Sequence, residues 1–177
     1  VCYSQLSSLI TWTSLGLMGA TAAVAGQNVG AGKPDRAEQA AHVAARIGLA
    51  GAAFIGMFFL FFPKQLLAVF GMNDPVVVEI GTQLLRVLSV SGLFITVALT
   101  YTGGLQGTGD TRSPLYISIV SQIIVPLGIC FVIRQTGKLE PLDIWIAILV
   151  GHAIRCALSA LRFKQGKWRG IAVDIEK

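Results

Sequence analysis

Long stretches without a single charged residue constrain the fold of this chain more than any other feature. Four of them cover residues 1–32, 47–63, 87–109 and 113–133. A fifth apolar stretch, 142–161, holds only two charged residues, Asp143 and Arg155. A helix needs about 20 mostly apolar residues to cross a bilayer. The sequence therefore predicts an all-α integral membrane protein with about five membrane-spanning helices.

The composition excludes several other classes of protein. Hydrophobic residues make up 54% of the chain and charged residues only 13%, against about 25% charged in an average soluble domain. Too few polar side chains remain to cover a soluble fold of this size. An intrinsically disordered chain is excluded because such chains contain few apolar residues. The net charge of +5 is dispersed among the apolar stretches, so we expect no nucleic-acid partner.

Turn and capping signals place the ends of the predicted helices. We expect the helices near residues 5–31, 42–62, 81–106, 114–134 and 142–163, followed by a tail at 164–177. Glycines at 30 and 32 end the first helix, and Asn73-Asp74-Pro75 is a start signal for the third. Ser113 and Pro114 suit the N-cap and the first position of the fourth helix.

The basic residues are distributed unequally between the two predicted sides of the membrane. Nine lie on one side: Lys33, Arg36, Arg46, Arg112, Arg162, Lys164, Lys167, Arg169 and Lys177. Four lie on the other: Lys64, Arg86, Arg134 and Lys138. Because positive loops stay inside, we expect the first side and the C-terminus to be cytoplasmic. The odd number of helices indicates that a further helix precedes Val1.

Small residues recur along two of the predicted helices. On the second helix they repeat every four residues: Ala40, Ala44, Gly48, Ala52 and Gly56. Such a stripe lets a neighbouring helix approach closely, and we expect Phe59 beyond it to face lipid. The third helix carries Gly92, Thr96, Thr100 and Gly104 at the same spacing. This second face either forms hydrogen bonds to a neighbouring helix or lines a water-filled cavity.

Several polar or aromatic side chains fall at membrane depth, where they need a partner or water. The candidates for a substrate cavity are Gln5, Trp12, Thr96, Thr100, Tyr101, Gln122 and His152. Arg155 shares a face with His152 and either serves a site or extends to the membrane surface. Pro126 is expected to kink the fourth helix. No Asp or Glu lies in the middle of a predicted span.

The sequence carries no arrangement typical of catalysis. The glycine-rich segments lack the spacing of phosphate-binding loops, and no catalytic triad, carboxylate pair or metal-ligand cluster is visible. We therefore predict that the protein is not an enzyme and has no metal site or resident cofactor.

Three segments resemble the multidrug and toxic compound extrusion (MATE) family of transporters. Residues 26–37 (GQNVGAGKPDRA) and 104–114 (GLQGTGDTRSP) are similar to its two cytoplasmic signatures, and 164–171 (KQGKWRGI) to its C-terminal end. The resemblance implies a structural or gating role for residues in these loops: Gln27, Asn28, Gly30, Gly32, Gly107, Gly109, Asp110 and Arg112.

The resemblance implies a transporter of two six-helix lobes, of which residues 1–177 form most of the second. The first lobe would then be a missing partner. The implied activity is export of small organic, mainly cationic molecules across the plasma (inner) membrane, in exchange for protons or sodium. One branch of the family carries a coupling carboxylate where this chain has Ile95. The alternatives are a flippase for lipid-linked precursors, of related fold, and a non-transporting membrane scaffold.

Overall fold

The computed structural model describes residues 2–137 and 140–176, and all regular structure within them is helical. Its α-helices are α1 (Cys2–Gly30), α2 (Pro34–Phe61), α3 (Pro63–Val69), α4 (Pro75–Gly107), α5 (Arg112–Ile119), α6 (Val125–Thr136) and α7 (Pro141–Lys164). A π-helical turn, Val120–Ile124, joins α5 to α6, and a 3-10 helix, Lys167–Glu176, follows α7. We call the continuous pair α5–α6, and we call Lys167–Glu176 the C-terminal strap.

Five helical segments of the described chain are long and apolar enough to cross a membrane, which confirms the predicted fold class. They cover Ser8–Gly30, Pro34–Phe61, Pro75–Gly107, Arg112–Gln135 and Pro141–Lys164. Two of them begin well before the predicted positions: α2 includes the mostly polar residues 34–39, and α4 includes residues 75–80, which are apolar apart from Glu79. In α4 the carboxylate of Asp74 accepts hydrogen bonds from the backbone N–H groups of Val76 and Val77, so the helix begins at Pro75.

Helix α4 lies at the centre of the bundle, packed against α1, α2 and α7. Of its most apolar 18 residues, 44% are buried inside the protein, against 6% for α5–α6. The pair α5–α6 packs mainly against α7. The five spans alternate in direction, which brings 30–34, 107–112 and the strap to one end of the bundle. We call this the basic end; Lys138, counted for the other end, lies outside the described residues.

The small face of α2 exists, but its register differs from the predicted repeat. The buried residues of α2 are Ala37, Ala41, Ala45, Gly48, Ala52, Gly56 and Phe59, whereas Ala40 and Ala44 are only half-buried. A strict four-residue repeat drifts around a helix of 3.6 residues per turn, so a straight face alternates steps of four and three. An added Cβ at Gly48 would lie 2.5 Å from Leu17 Cδ2 and 2.7 Å from Thr96 Cγ2.

Phe59 corrects a prediction about lipid exposure. Its side chain is 2% exposed and packs with Ile10, Leu67 and Leu85 away from the basic end. The short helix α3, which the sequence did not predict, supplies Leu67 to this cluster. Phe59 therefore belongs to the core, and the exposed aromatics of α2 are Phe54, Phe58 and Phe61.

The predicted disturbance at Pro126 takes the form of the π-helical turn immediately before it. Proline has no N–H, and its ring clashes with the carbonyl four residues earlier, so a wider turn accommodates it. The predicted N-cap at Ser113 is wrong: α5 begins at Arg112, and Ser113 is its second residue. The capping carboxylate comes from Asp110, whose Oδ1 accepts from the Ser113 N–H at 3.1 Å.

Candidate functional site

The two signature segments meet at the basic end because α1 and α4 cross there at very short range. An added Cβ at Gly103 would lie 2.2 Å from the Met18 carbonyl oxygen, and one at Gly107 2.1 Å from that of Ala22. A Cβ at Gly26 would lie 2.9 Å from the Gly107 oxygen. Only glycine fits at such approaches. Residues 26–37 and 104–114 are therefore held together by backbone packing.

Within these segments the predicted residues have different structural roles. Gly32 and Gly109 turn the chain with φ of 69° and 92°, a region that favours glycine. Asn28 donates from Nδ2 to the Val24 carbonyl at 2.8 Å. Gly30 and Gln27 are exposed, and nothing within 4 Å would meet a Cβ at Gly30.

Asp110 joins the start of α5 to the end of α7. Its carboxylate accepts from the Ser113 hydroxyl at 2.8 Å and from Arg162 Nη2 and Nε at 2.8 and 3.0 Å. Burial alone would raise the pKa of Asp110, whose side chain is 4% exposed, but the Ser113 hydrogen bonds and the Arg162 ion pair outweigh it and lower this pKa. Asp110 thus bridges the start of α5 and the end of α7.

The C-terminal strap makes a second connection across the basic end. Trp168 is fully buried, stacks on Phe163 at 5.1 Å between ring centroids, and donates from Nε1 to the Phe163 carbonyl. Arg169 pairs with Asp35 at 2.9 Å and with Glu38, both at the start of α2. The hydrogen bond from Arg169 to Glu38, and then the charges of Glu38 and Asp35, raise the Arg169 pKa against the opposing effect of desolvation.

A cleft of about 700 Å³ opens between α5, α4, α1 and α7. We call it the α5 cleft. Its polar lining consists of Thr11, Thr102, Gln106, Thr111, Arg112, Ser118, Gln122 and Arg155. Ile95, at the position where one branch of the resembled family has a carboxylate, contributes an apolar wall. Gln122 also approaches His152 of α7, with 3.4 Å between Nε2 and Nδ1.

A second cavity, of about 380 Å³ between α1 and α2, is mostly apolar. Trp12 and Thr96 both line it, but their environments differ. Thr96 is 2% exposed and its hydroxyl bonds to that of Ser14 at 2.7 Å, whereas Trp12 is 72% exposed. Thr100, fully buried, donates to the Thr96 carbonyl at 2.8 Å. Thr96 and Thr100 therefore take part in close helix packing.

The remaining predicted cavity residues lie elsewhere. Tyr101 donates to or accepts from His42 Nδ1 at 2.9 Å and packs on Phe163 near the strap. Gln122 and His152 come together beside the α5 cleft, and the side chain of Gln5 lies outside the described part of the chain. The structure thus distributes the candidates over at least three places rather than one cavity.

Sequence reasoning missed the pairings at the basic end. His42 meets Tyr101 across 59 residues, and Arg162 meets Asp110 across 52. Arg162 was counted only for orientation, and no local pattern signals contacts so distant in the chain. Among the described residues, no group of three or more His, Cys, Asp or Glu side chains could hold a metal ion.

Comparisons with known proteins match the chain to one family. The family described as MatE matches residues 2–132. A probable multidrug resistance protein NorM of Thermotoga maritima is 30% identical over 67% of this chain and 25% of its own length. The multidrug resistance protein MdtK of Pectobacterium atrosepticum is 27% identical over 90% of the chain and 36% of its own length.

A plant relative, protein DETOXIFICATION 8 of Arabidopsis thaliana, is 30% identical over 89% of the chain and 34% of its own length. The chain thus spans about a quarter to a third of the length of the curated relatives it matches.

Proposed function

The chain belongs to the MatE family, and we propose that it forms most of the second lobe of a transporter that exports small organic molecules. The observation that carries this proposal is the family match over residues 2–132. Relatives named multidrug resistance proteins match 67% and 90% of the chain. The joining of both signature segments at one end of the bundle supports a common role for them in the transport cycle.

The contrast in packing suggests how this lobe takes part in transport. Alternating access requires one rigid body to move against another. Glycine contacts fix α1 to α4, whereas α5–α6 is attached mainly through α7 and contains the π-helical turn. We assign α1, α2 and α4 to a fixed body and α5–α6 to a moving element. The Asp110–Arg162 bridge then holds the moving element closed at the basic end.

The position of the carboxylates bears on ion coupling. Within the described spans, Asp35, Glu38, Glu79 and Asp143 all lie in the first five residues of their helices. A carboxylate in mid-membrane is the usual means of binding a coupling proton or sodium ion. We therefore assign the coupling group to a first lobe. The same lobe would supply the negative charge for cationic substrates, with Trp12 offering an aromatic face.

The charge distribution supports one orientation. The basic end carries the majority of lysines and arginines, so we place it, with the C-terminus, in the cytoplasm, and the protein in the plasma (inner) membrane. Single cysteines at Thr111 and Gln135, in a background without the native cysteines, test this. An impermeant reagent should label position 135 from outside and position 111 only after permeabilisation; labelling of both from outside would contradict it.

Efflux of ethidium from vesicles tests the function. We expect efflux under an imposed proton or sodium gradient when the chain is joined to a first lobe, and none from the 177 residues alone. Asp110→Asn should slow efflux severalfold while ethidium affinity stays near normal, because the residue holds helices and not substrate. Arg134→Gln, an exposed change at the other end, is the control. Absence of gradient-driven efflux from the two-lobe protein would overturn the proposal.

Efflux by the 177 residues alone would contradict the assignment of the coupling group to another lobe. His152 would then be the first coupling candidate, and His152→Gln should abolish that efflux.

A further inference from the structure

Arg155 is placed where a cation needs a counter-charge. It precedes the end of α7 at Lys164 by nine residues, which corresponds to about 14 Å along the helix. Its Nε is buried and has no hydrogen-bond partner among the described residues. The residue lines the α5 cleft together with Gln122 and Ser118, within a helix long and apolar enough to cross a membrane. An arginine there is costly unless an anion or water satisfies it.

The rest of the α5 cleft offers donors but no counter-charge. Arg112, the first residue of α5, lines the same cleft nearer the basic end. Among the described residues that line it, none is Asp or Glu. The acid nearest in sequence, Asp110, is already engaged by Ser113 and Arg162. The cleft is therefore positively charged, and a cationic drug would be repelled from it.

We propose that the α5 cleft binds an anionic oxygen group, a phosphate or carboxylate, through Arg155, with Arg112 nearer the basic end. The planar guanidinium matches such groups with two parallel hydrogen bonds. The Gln122 amide and the Ser118 hydroxyl line the same space and can donate as well. A volume of about 700 Å³ admits a lipid headgroup or a small organic anion. The inference goes beyond the proposed export and does not depend on it.

Equilibrium binding of two phosphate probes tests this site and identifies its source. One probe is phosphatidylglycerol in phosphatidylcholine nanodiscs that contain the purified protein. The other is phenyl phosphate, added in water to the protein in nanodiscs of phosphatidylcholine alone. Saturable binding of the lipid assigns the site to a headgroup, and saturable binding of phenyl phosphate assigns it to soluble anions. Binding of neither probe overturns the proposal.

The variants decide whether Arg155 carries the binding. We expect Arg155→Gln to weaken binding of the effective probe at least tenfold, and Arg155→Lys to weaken it severalfold, because lysine keeps the charge and loses the planar fork. Arg46→Gln removes the same charge from an exposed position on α2 outside the cleft and should leave binding unchanged. Equal affinities in folded Arg155→Gln and Arg46→Gln would overturn the site. Because no gradient is applied, a failure here is distinct from a failure of efflux.

If Arg155→Gln does not fold, the Arg155→Lys variant tests the site in its place. Undiminished binding by Arg155→Lys, together with undiminished binding by Ser118→Ala, would then contradict the proposed geometry.

Discussion

Helix α1 and the pair α5–α6 are both long apolar spans beside the central helix α4, yet they are held in different ways. The backbone of α1 touches α4 at Gly103 and Gly107. Few residues of α5–α6 are buried, and a close approach occurs at the π-helical turn, where a Cβ on Gly151 of α7 would lie 2.4 Å from the Ser121 carbonyl oxygen. Two spans that are both long and apolar enough to cross a membrane are therefore packed very differently, and glycines set the contact of each with its neighbour.

The largest expected effect comes from filling the α1–α4 contact. Gly103→Leu would drive a side chain into the Met18 carbonyl, at a cost of about 3 kcal/mol or more by comparison with overpacked cores. We expect most of the folded protein to be lost, measured by size-exclusion chromatography in detergent. The matched change Gly128→Leu on α6, where nothing lies within 4 Å, should leave the yield near normal. Equal losses would mean that the two regions are packed alike.

The Asp110–Arg162 bridge ties the start of α5 to α7, which packs on α4, and its loss should have the next largest effect. Asp110→Asn leaves Arg162 beside a neutral amide, and loss of charge-assisted hydrogen bonds of this kind costs about 1.5–3 kcal/mol. Arg162→Gln should cost a similar amount, and the double variant less than the sum of both. Unfolding free energies of the four proteins test this cycle. Strict additivity would show that the bridge does not stabilise the fold.

The same bridge predicts a pH dependence with a definite sign. The pKa of Asp110 is lowered in the folded protein. The stabilisation of the fold by its carboxylate is therefore fully present above the unfolded pKa of about 4. It is lost as the pH falls through the lower folded pKa. Between pH 5 and pH 2 the wild type should therefore lose more stability than Asp110→Asn. Parallel pH profiles would contradict the assigned role.

Removing the exposed ion pairs of the C-terminal strap should have only a small effect on the melting temperature. Arg169 pairs with Asp35 and Glu38 at the surface, where solvent and salt screen such pairs. Arg169→Gln should change the melting temperature far less than Asp110→Asn, and the difference from wild type should disappear at high salt. A loss as large as that of Asp110→Asn would mean that the strap holds the basic end together through charge.

The sequence predicted the features that depend on local chemistry. Apolar length located the five spans, Asp74-Pro75 marked the start of α4, and Pro126 marked the disturbed turn. It did not predict which faces meet. Phe59 is buried because α3 folds back beside it, and the candidate cavity residues separate because helix rotation, set by contacts such as Gly48 against Leu17, is not encoded in hydropathy.

The candidate site was predictable only in part, because some of its contacts are local in the sequence and others join distant residues. Asp110 lies in the short turn between two predicted helices, and it caps α5 within three residues. Its partner Arg162 lies 52 residues away. For Arg155 the sequence left two readings open, and the packing adds that its Nε is buried at a cleft whose described lining holds no carboxylate. Such pairings depend on the packing of whole helices.

Spin-label distances across the two regions test the central claim, that α1 and α4 form one body and α5–α6 moves against it. Labels at Leu9 and Val90 report on the body, and labels at Val90 and Leu127 report on the moving element; all three positions are exposed. The three native cysteines are first replaced by serine. We expect the Leu9–Val90 distribution to stay narrow and unchanged when ethidium binds, and the Val90–Leu127 distribution to shift or broaden. Identical, unchanging distributions for both pairs would contradict the claim.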